Sequence, residues 1–136
     1  MDNLGLGAGS RAVVDRMEHA HVCARDIDRT TAFYRRAFGF EVRHDGTGMY
    51  GRNVHVGTDR FYIAISEGGD PERGTGNFAH LGFVTPDLEA FRKRLEREGI
   101  PIVETASRPE GDAVYVEDPD GVEIEVVGYR QDYRYR

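Results

Sequence analysis

The side chains of this 136-residue chain with the clearest capacity for chemistry are His19, His21, His80, Glu123 and Glu125. Each sits in a stretch that alternates apolar and polar residues. Successive side chains of a strand point to opposite faces. In "EHAHVCA", His19, His21 and Cys23 therefore share a face opposite Ala20, Val22 and Ala24; in "HLGFV", His80 and Gly82 oppose Leu81 and Phe83. In "VEIEVV", Glu123 and Glu125 share the face opposite Val122, Ile124 and Val126. One such strand would be an ordinary solvated sheet face, and one histidine on it an ordinary half-exposed side chain. Three of them on one polar face offer the two imidazole nitrogens and one carboxylate oxygen that suit Fe(II), Mn(II), Zn(II) or Ni(II) and leave coordination positions open for a substrate.

The elements that must position these residues come as a repeat. "HAHVCARD" and "HLGFVTPD" both run from a histidine to an aspartate seven residues on, and 61 residues separate His19 from His80 and Asp26 from Asp87. Helical spacing follows each aspartate, through Ile27, Thr31, Tyr34 and Phe38 in the first copy and Leu88, Phe91 and Leu95 in the second. Gly39 and Gly99 stop the two helices, and Thr85-Pro86 is expected to start the second, with Thr85 as its cap. Strand-like runs come next: "FEVRH", "GMYGRNVHV" and "RFYIAIS", then "PIVET", "DAVYVE" and "VEIEVV". Before the last of these, Pro119-Asp120-Gly121 sets a tight turn. The chain thus reads βαβββ twice. Module 1 is expected at about 16–67, a Gly- and charge-rich linker at about 67–77 and module 2 at about 78–128, within one domain at 16–130. Residues 1–15 read as a loose leader and 129–136 as a tail in which Arg134 could clamp an anion.

Composition narrows the class of partner. Apolar residues make up 39%, enough for the core of one domain. Acids exceed bases by 24 to 18, and no basic stretch offsets them, which argues against nucleic acid and anionic membranes and for a small-molecule ligand. The single cysteine, Cys23, excludes an intrachain disulfide framework and suits a reducing compartment. No signal peptide or spanning segment is legible, so a cytoplasmic location is expected.

Three motifs in order, "HAHVCARDIDRTTAFYRRAFGFEV", "HLGFVTPDLEAFRKRLEREGI" and "YVEDPDGVEIEV", make the chain resemble the vicinal oxygen chelate superfamily of glyoxalases, bleomycin-resistance proteins and extradiol dioxygenases over residues 17 to about 128. The resemblance implies an α+β fold of tandem βαβββ modules, a cupped mixed β-sheet with helices on its outer face. It implies a divalent metal ion held by His19, His80 and Glu125, and a homodimer. His21 lies two residues past the usual first ligand and is expected as a second histidine in the cup, able to shuttle a proton, while Tyr115 could donate a hydrogen bond to a bound oxygen. Ala64 stands where four-ligand glyoxalases carry a further carboxylate, which disfavours a methylglyoxal lyase unless Glu67 or a water substitutes. Val114-Tyr115, Asp118-Pro119, Gly121 and Glu125 match the second half of the dioxygenase signature. Its upstream histidine is missing, and residues 106–108 offer only Arg108 as a charged partner. Thr105 and Pro109 depart from the fosfomycin-modifying transferases. The expected function is a metal-dependent enzyme, closest to a dioxygenase by ligand set; the rivals are a non-oxidative lyase or isomerase, and a non-catalytic binder that sequesters a drug or metabolite.

Overall fold

Both helices begin and end by the same local devices. The computed structural model describes residues 13, 16–48, 51–67 and 80–130; the proposed linker from 68 onward, most of the leader, Arg134 and the rest of the tail beyond 130 lie outside them. Helix α1 (Ile27–Phe38) is capped by Asp26, whose carboxylate accepts from the Arg29 N–H at 3.1 Å. Helix α2 (Leu88–Glu98) is capped by Asp87, which accepts from the Ala90 N–H at 3.0 Å. Each bond satisfies a donor that the first helical turn leaves without a partner. Gly39 and Gly99 end the helices at φ 73° and 69°, a region costly for any residue with a Cβ. The cap of α2 is thus Asp87 and not Thr85. Thr85 Oγ1 instead accepts from the Asp87 N–H at 3.2 Å and shapes the turn into the helix.

The strands are β1 (His19–Cys23), β2 (Glu41–Gly48), β3 (Gly51–Gly57), β4 (Tyr62–Ser66), β5 (Leu81–Val84), β6 (Glu104–Arg108), β7 (Gly111–Glu117) and β8 (Glu123–Tyr129). They form two four-stranded mixed sheets, ordered β1-β4-β3-β2 and β5-β8-β7-β6. β1 runs parallel to β4 and β5 parallel to β8, while the remaining pairs are antiparallel. Register repeats with the sequence: His21 pairs with Ala64 in the first sheet as Gly82 pairs with Glu125 in the second. β6 starts at Glu104, later than "PIVET" suggests. Pro101 has no N–H to give a ladder, and Ile102 and Val103 stay exposed.

One apolar cluster joins both modules. Ile27, Tyr34 and Ala37 of α1 bury with Val54, Val56, Ile63 and Ile65, and Phe91 and Leu95 of α2 with Val114, Val116, Ile124 and Val126. Phe38 stacks on Phe91 at 5.9 Å between ring centroids, and Arg36 Nε meets Glu98 Oε1 at 3.1 Å. A polar clasp ties the turn before β8 to α1. Tyr34 Oη donates to Asp118 Oδ2 at 3.1 Å, Thr30 Oγ1 donates to Asp120 at 3.3 Å, and Arg25 pairs with Asp120 at 2.9 Å. Asp118 Oδ1 also accepts from the N–H groups of Asp120 and Val122, at 2.8 and 3.0 Å. The clasp fixes where β8, and Glu125 on it, lies relative to module 1.

Candidate functional site

With the helices covering the apolar side of each sheet, the polar alternates lie on the other side, and in module 2 they converge on Glu125. The central position of β8 between β5 and β7 leaves its side chain 12% exposed. His80, one residue before β5, places Nε2 3.1 Å from Glu125 Oε1. Tyr115, directly across the ladder on β7, donates its hydroxyl to Glu125 Oε2 at 2.9 Å. Arg108, the last residue of β6, reaches the same oxygen with Nη1 at 3.1 Å and donates Nη2 to the Tyr115 hydroxyl at 3.0 Å. The His80 ring stands edge-on to that of Tyr115, 79° between planes.

These contacts shift the groups in directions that follow from their causes. Partial burial raises the Tyr115 phenol above its ordinary value, and its bond to the Glu125 carboxylate raises it further, with Arg108 opposing. Hydrogen bonds to Tyr115 and Glu125 hold the Arg108 guanidinium more firmly charged than usual. Tyr115 is therefore a neutral donor and Arg108 a permanent cation.

Module 1 presents a different face. His44 and His55 are paired across β2 and β3, 4.9 Å between rings; His55 stacks on Tyr62 at 4.2 Å, and Tyr62 on His19 at 4.7 Å. His19 Nδ1 lies 3.0 Å from Glu18 Oε1, and His21 Nε2 lies 2.8 Å from the buried Ser66 hydroxyl. Burial lowers the His55 pKa, and the positive charges of His44, His19 and His21 add to the shift. Glu67 accepts from the Ile27 N–H at 3.0 Å, at the start of α1. Glu123 pairs across the ladder with Glu117, away from the Glu125 contacts.

Of the five residues singled out by type and spacing, the structure brings His80 and Glu125 together, with Tyr115 beside them. His19 and His21 lie on the other sheet. His19 and His80 do line one cavity of about 890 Å³ that also takes in Phe38, Phe40, Phe61 and Phe83, beside the edge strands β1 and β5. Among the described residues no three His, Cys, Asp or Glu side chains are grouped as a metal ion would need. The pair that is present fits a metal in part: two ligands each about 2.0–2.2 Å from one ion stand about 3 Å apart, as His80 Nε2 and Glu125 Oε1 do. Sequence reasoning gave no role to His44, His55 or Tyr62, and offered Arg108 only as the partner left where a histidine is missing. His55 had a signal in the repeat, for it lies 60 residues before Tyr115 and pairs with Ala64 as Tyr115 pairs with Glu125.

The model of the Glyoxalase/Bleomycin resistance protein/Dioxygenase superfamily matches residues 16–126. The chain belongs to this superfamily. Superfamily proteins of solved structure share its fold. TnmS3, an antibiotic binding protein from Streptomyces sp. CB03234, is 22% identical over 88% of this chain and 99% of its own, with a TM-score of 0.76. A lactoylglutathione lyase from Agrobacterium tumefaciens is 23% identical over 85% and 94%, with a TM-score of 0.67. A lactoylglutathione lyase from Pseudomonas aeruginosa is 34% identical over 67 residues, 46% of this chain but only 38% of that protein's length. Within the superfamily fold, no described helix is long and apolar enough to cross a membrane.

Proposed function

We propose that this superfamily member is a metal-dependent enzyme acting on a small molecule with two adjacent oxygens, closest to a dioxygenase by its ligands. The observation that carries the reading is the His80–Glu125 pair at 3.1 Å with Tyr115 and Arg108 holding the other carboxylate oxygen. His80 and Glu125 would supply two ligands from one chain. The third, His19, stacked on Tyr62 in module 1, would come from a second copy, which makes the working unit a homodimer with module 1 of one chain facing module 2 of the other. A bound divalent ion supplies Lewis acidity at the chelated oxygens. The rest falls to the chain. Tyr115 and Arg108 fix the Glu125 carboxylate in one orientation, as supporting hydrogen bonds do around ligating groups. His21, on the module 1 sheet with Nε2 2.8 Å from the Ser66 hydroxyl, would hold the proton that the reaction moves.

Elemental analysis of protein purified without a metal-binding tag tests the reading. Stoichiometric metal in wild type, abolished in His80→Ala with the fold retained, is the expected result; equal metal in both would refute it. Oxygen uptake by the Fe(II)-loaded protein with a catechol panel then separates a dioxygenase from a non-oxidative lyase or isomerase, which would turn over with Mn(II), Ni(II) or Zn(II) and no oxygen. The likeness to lactoylglutathione lyases supports the lyase form, and Ala64 at the position paired with His21 and His55, in place of a carboxylate, counts against it. A sequestering binder is the second reading, favoured by the Phe-lined cavity beside the stacked His55–Tyr62–His19 rings. Tight binding of a flat aromatic drug with no retained metal would establish it.

A further inference from the structure

Arg108 is built into the Glu125 site in a way that metal holding alone does not require. Its backbone is pinned on both sides: it pairs with Gly111 across the β6–β7 ladder, Pro109 follows it, and Arg130 Nη2 donates to its carbonyl at 3.2 Å. A side chain at Gly111 would collide with the Gly128 carbonyl at 2.4 Å, so this hairpin lies close against β8 and has one way to sit. From that fixed stem the planar guanidinium spans two partners, Glu125 Oε2 at 3.1 Å and the Tyr115 hydroxyl at 3.0 Å, which sets its plane as well as its position. Those contacts engage two of its five N–H donors. The side chain remains 38% exposed on the side of the site that solvent reaches.

Charge decides what the remaining donors are for. One cation and one carboxylate cancel, so the Glu125–Arg108 pair is neutral before anything binds. A divalent ion on His80 and Glu125 would leave the site with two positive charges, where a two-histidine, one-carboxylate site without an arginine would carry one. Binding of the ion would also draw Glu125 charge away from Arg108, leaving a half-buried guanidinium in need of an anion. A fixed guanidinium fork meets a carboxylate with two parallel N–H···O bonds, a geometry that ammonium cannot reproduce.

We propose that Arg108 is a substrate-binding residue and that the site takes a vicinal dioxygen compound bearing a carboxylate, in preference to the neutral analogue. The inference rests on the proposed reading of the site, naming its substrate class. The rival account is that Arg108 is a structural counter-ion for Glu125.

Calorimetric titration of the full-length protein with catechol and with 2,3- and 3,4-dihydroxybenzoate decides between them, using wild type, Arg108→Gln and Arg108→Lys, each assayed for metal content. The measure is the affinity ratio of carboxylated to neutral probe within each protein, which cancels differences in folded fraction and metal occupancy. Wild type should prefer one of the dihydroxybenzoates at least tenfold, on the order of a charged hydrogen-bonded contact. Arg108→Gln should bring the ratio to within about twofold of unity, and Arg108→Lys should keep part of the preference through charge without the fork. An unchanged ratio in Arg108→Gln overturns the proposal, whatever happens to melting temperature, and so does a wild type that binds neither probe or prefers catechol. The metal assay scores the metal reading separately: metal present with no arginine-dependent ratio sinks only the inference. An arginine-dependent ratio in protein without metal sinks only the metal.

Discussion

Tyr34→Phe removes one oxygen from the centre of the clasp between modules and leaves the ring in place, so its effect can be worked from the geometry. Tyr34 and Asp118 are 0% and 4% exposed, and the Tyr34 hydroxyl is a donor to Asp118 Oδ2 at 3.1 Å. Loss of a hydrogen bond to a charged acceptor costs about 1.5–3 kcal/mol, with the upper part of the range reached when the acceptor is left buried and short of partners. Oδ1 keeps its two backbone donors, so the carboxylate is weakened but not orphaned. We expect about 2 kcal/mol, read as a drop of roughly 8 °C in melting temperature for a domain of this size. The pH dependence carries a second, independent sign. Burial raises the Asp118 pKa above its ordinary value of 3.8 despite its three donors. A carboxyl with a raised folded pKa binds its proton more tightly folded than unfolded, so its ionisation costs stability as pH climbs from about 3.8 through the folded value. Asp118→Asn, which cannot ionise, should therefore gain on wild type over that interval in denaturant titrations at stepped pH. A Tyr34→Phe loss under about 0.5 kcal/mol, or an Asn variant that loses ground on wild type as pH rises, would refute the reasoning.

The two glutamates of β8 should separate, with Glu125→Gln greatly lowering metal content and Glu123→Gln leaving it within experimental scatter, because only Glu125 touches His80; the opposite order would show that the wrong carboxylate had been chosen. Tyr115→Phe removes the hydroxyl that donates to Glu125 Oε2 at 2.9 Å, and should lower metal affinity, or activity if turnover is found, by about 10–100-fold. His55 has a lowered pKa for reasons of burial and neighbouring positive charge, so the fold should lose stability as pH falls through about 6.5. His55→Gln should flatten that slope in melting curves taken between pH 8 and 5. Gly111→Ala should fold poorly or melt well below wild type, since its Cβ would meet backbone and not a side chain that can move.

The repeat carried much of the fold into plain view. Asp26 and Asp87, Gly39 and Gly99 act locally, through a cap bond three residues away and a left-handed stop, so their effect can be read without knowing what the helices touch. Period-two alternation likewise assigned Glu125 and His80 to the polar sides of their strands, and the 61-residue offset matched His80 with His19. Element ends were less legible. Asp87 took the cap from Thr85, and β6 slid to Glu104, because those choices depend on which donors the neighbouring strand and turn leave over. The site was legible in type and not in assembly. Sequence could not show that Arg108, seventeen residues from Glu125, closes on the same oxygen as Tyr115, since that contact exists only once β6, β7 and β8 are paired in register. Nor could it show that His19 stacks on Tyr62 in a column with His55 and His44, on the other sheet from Glu125. Strand alternation decides which face a side chain takes; which faces meet is decided by how two sheets pack, a matter of contacts far apart in sequence. Local residue chemistry thus determined the donors available to this protein, and tertiary packing alone determined that one chain unites His80, Glu125, Tyr115 and Arg108.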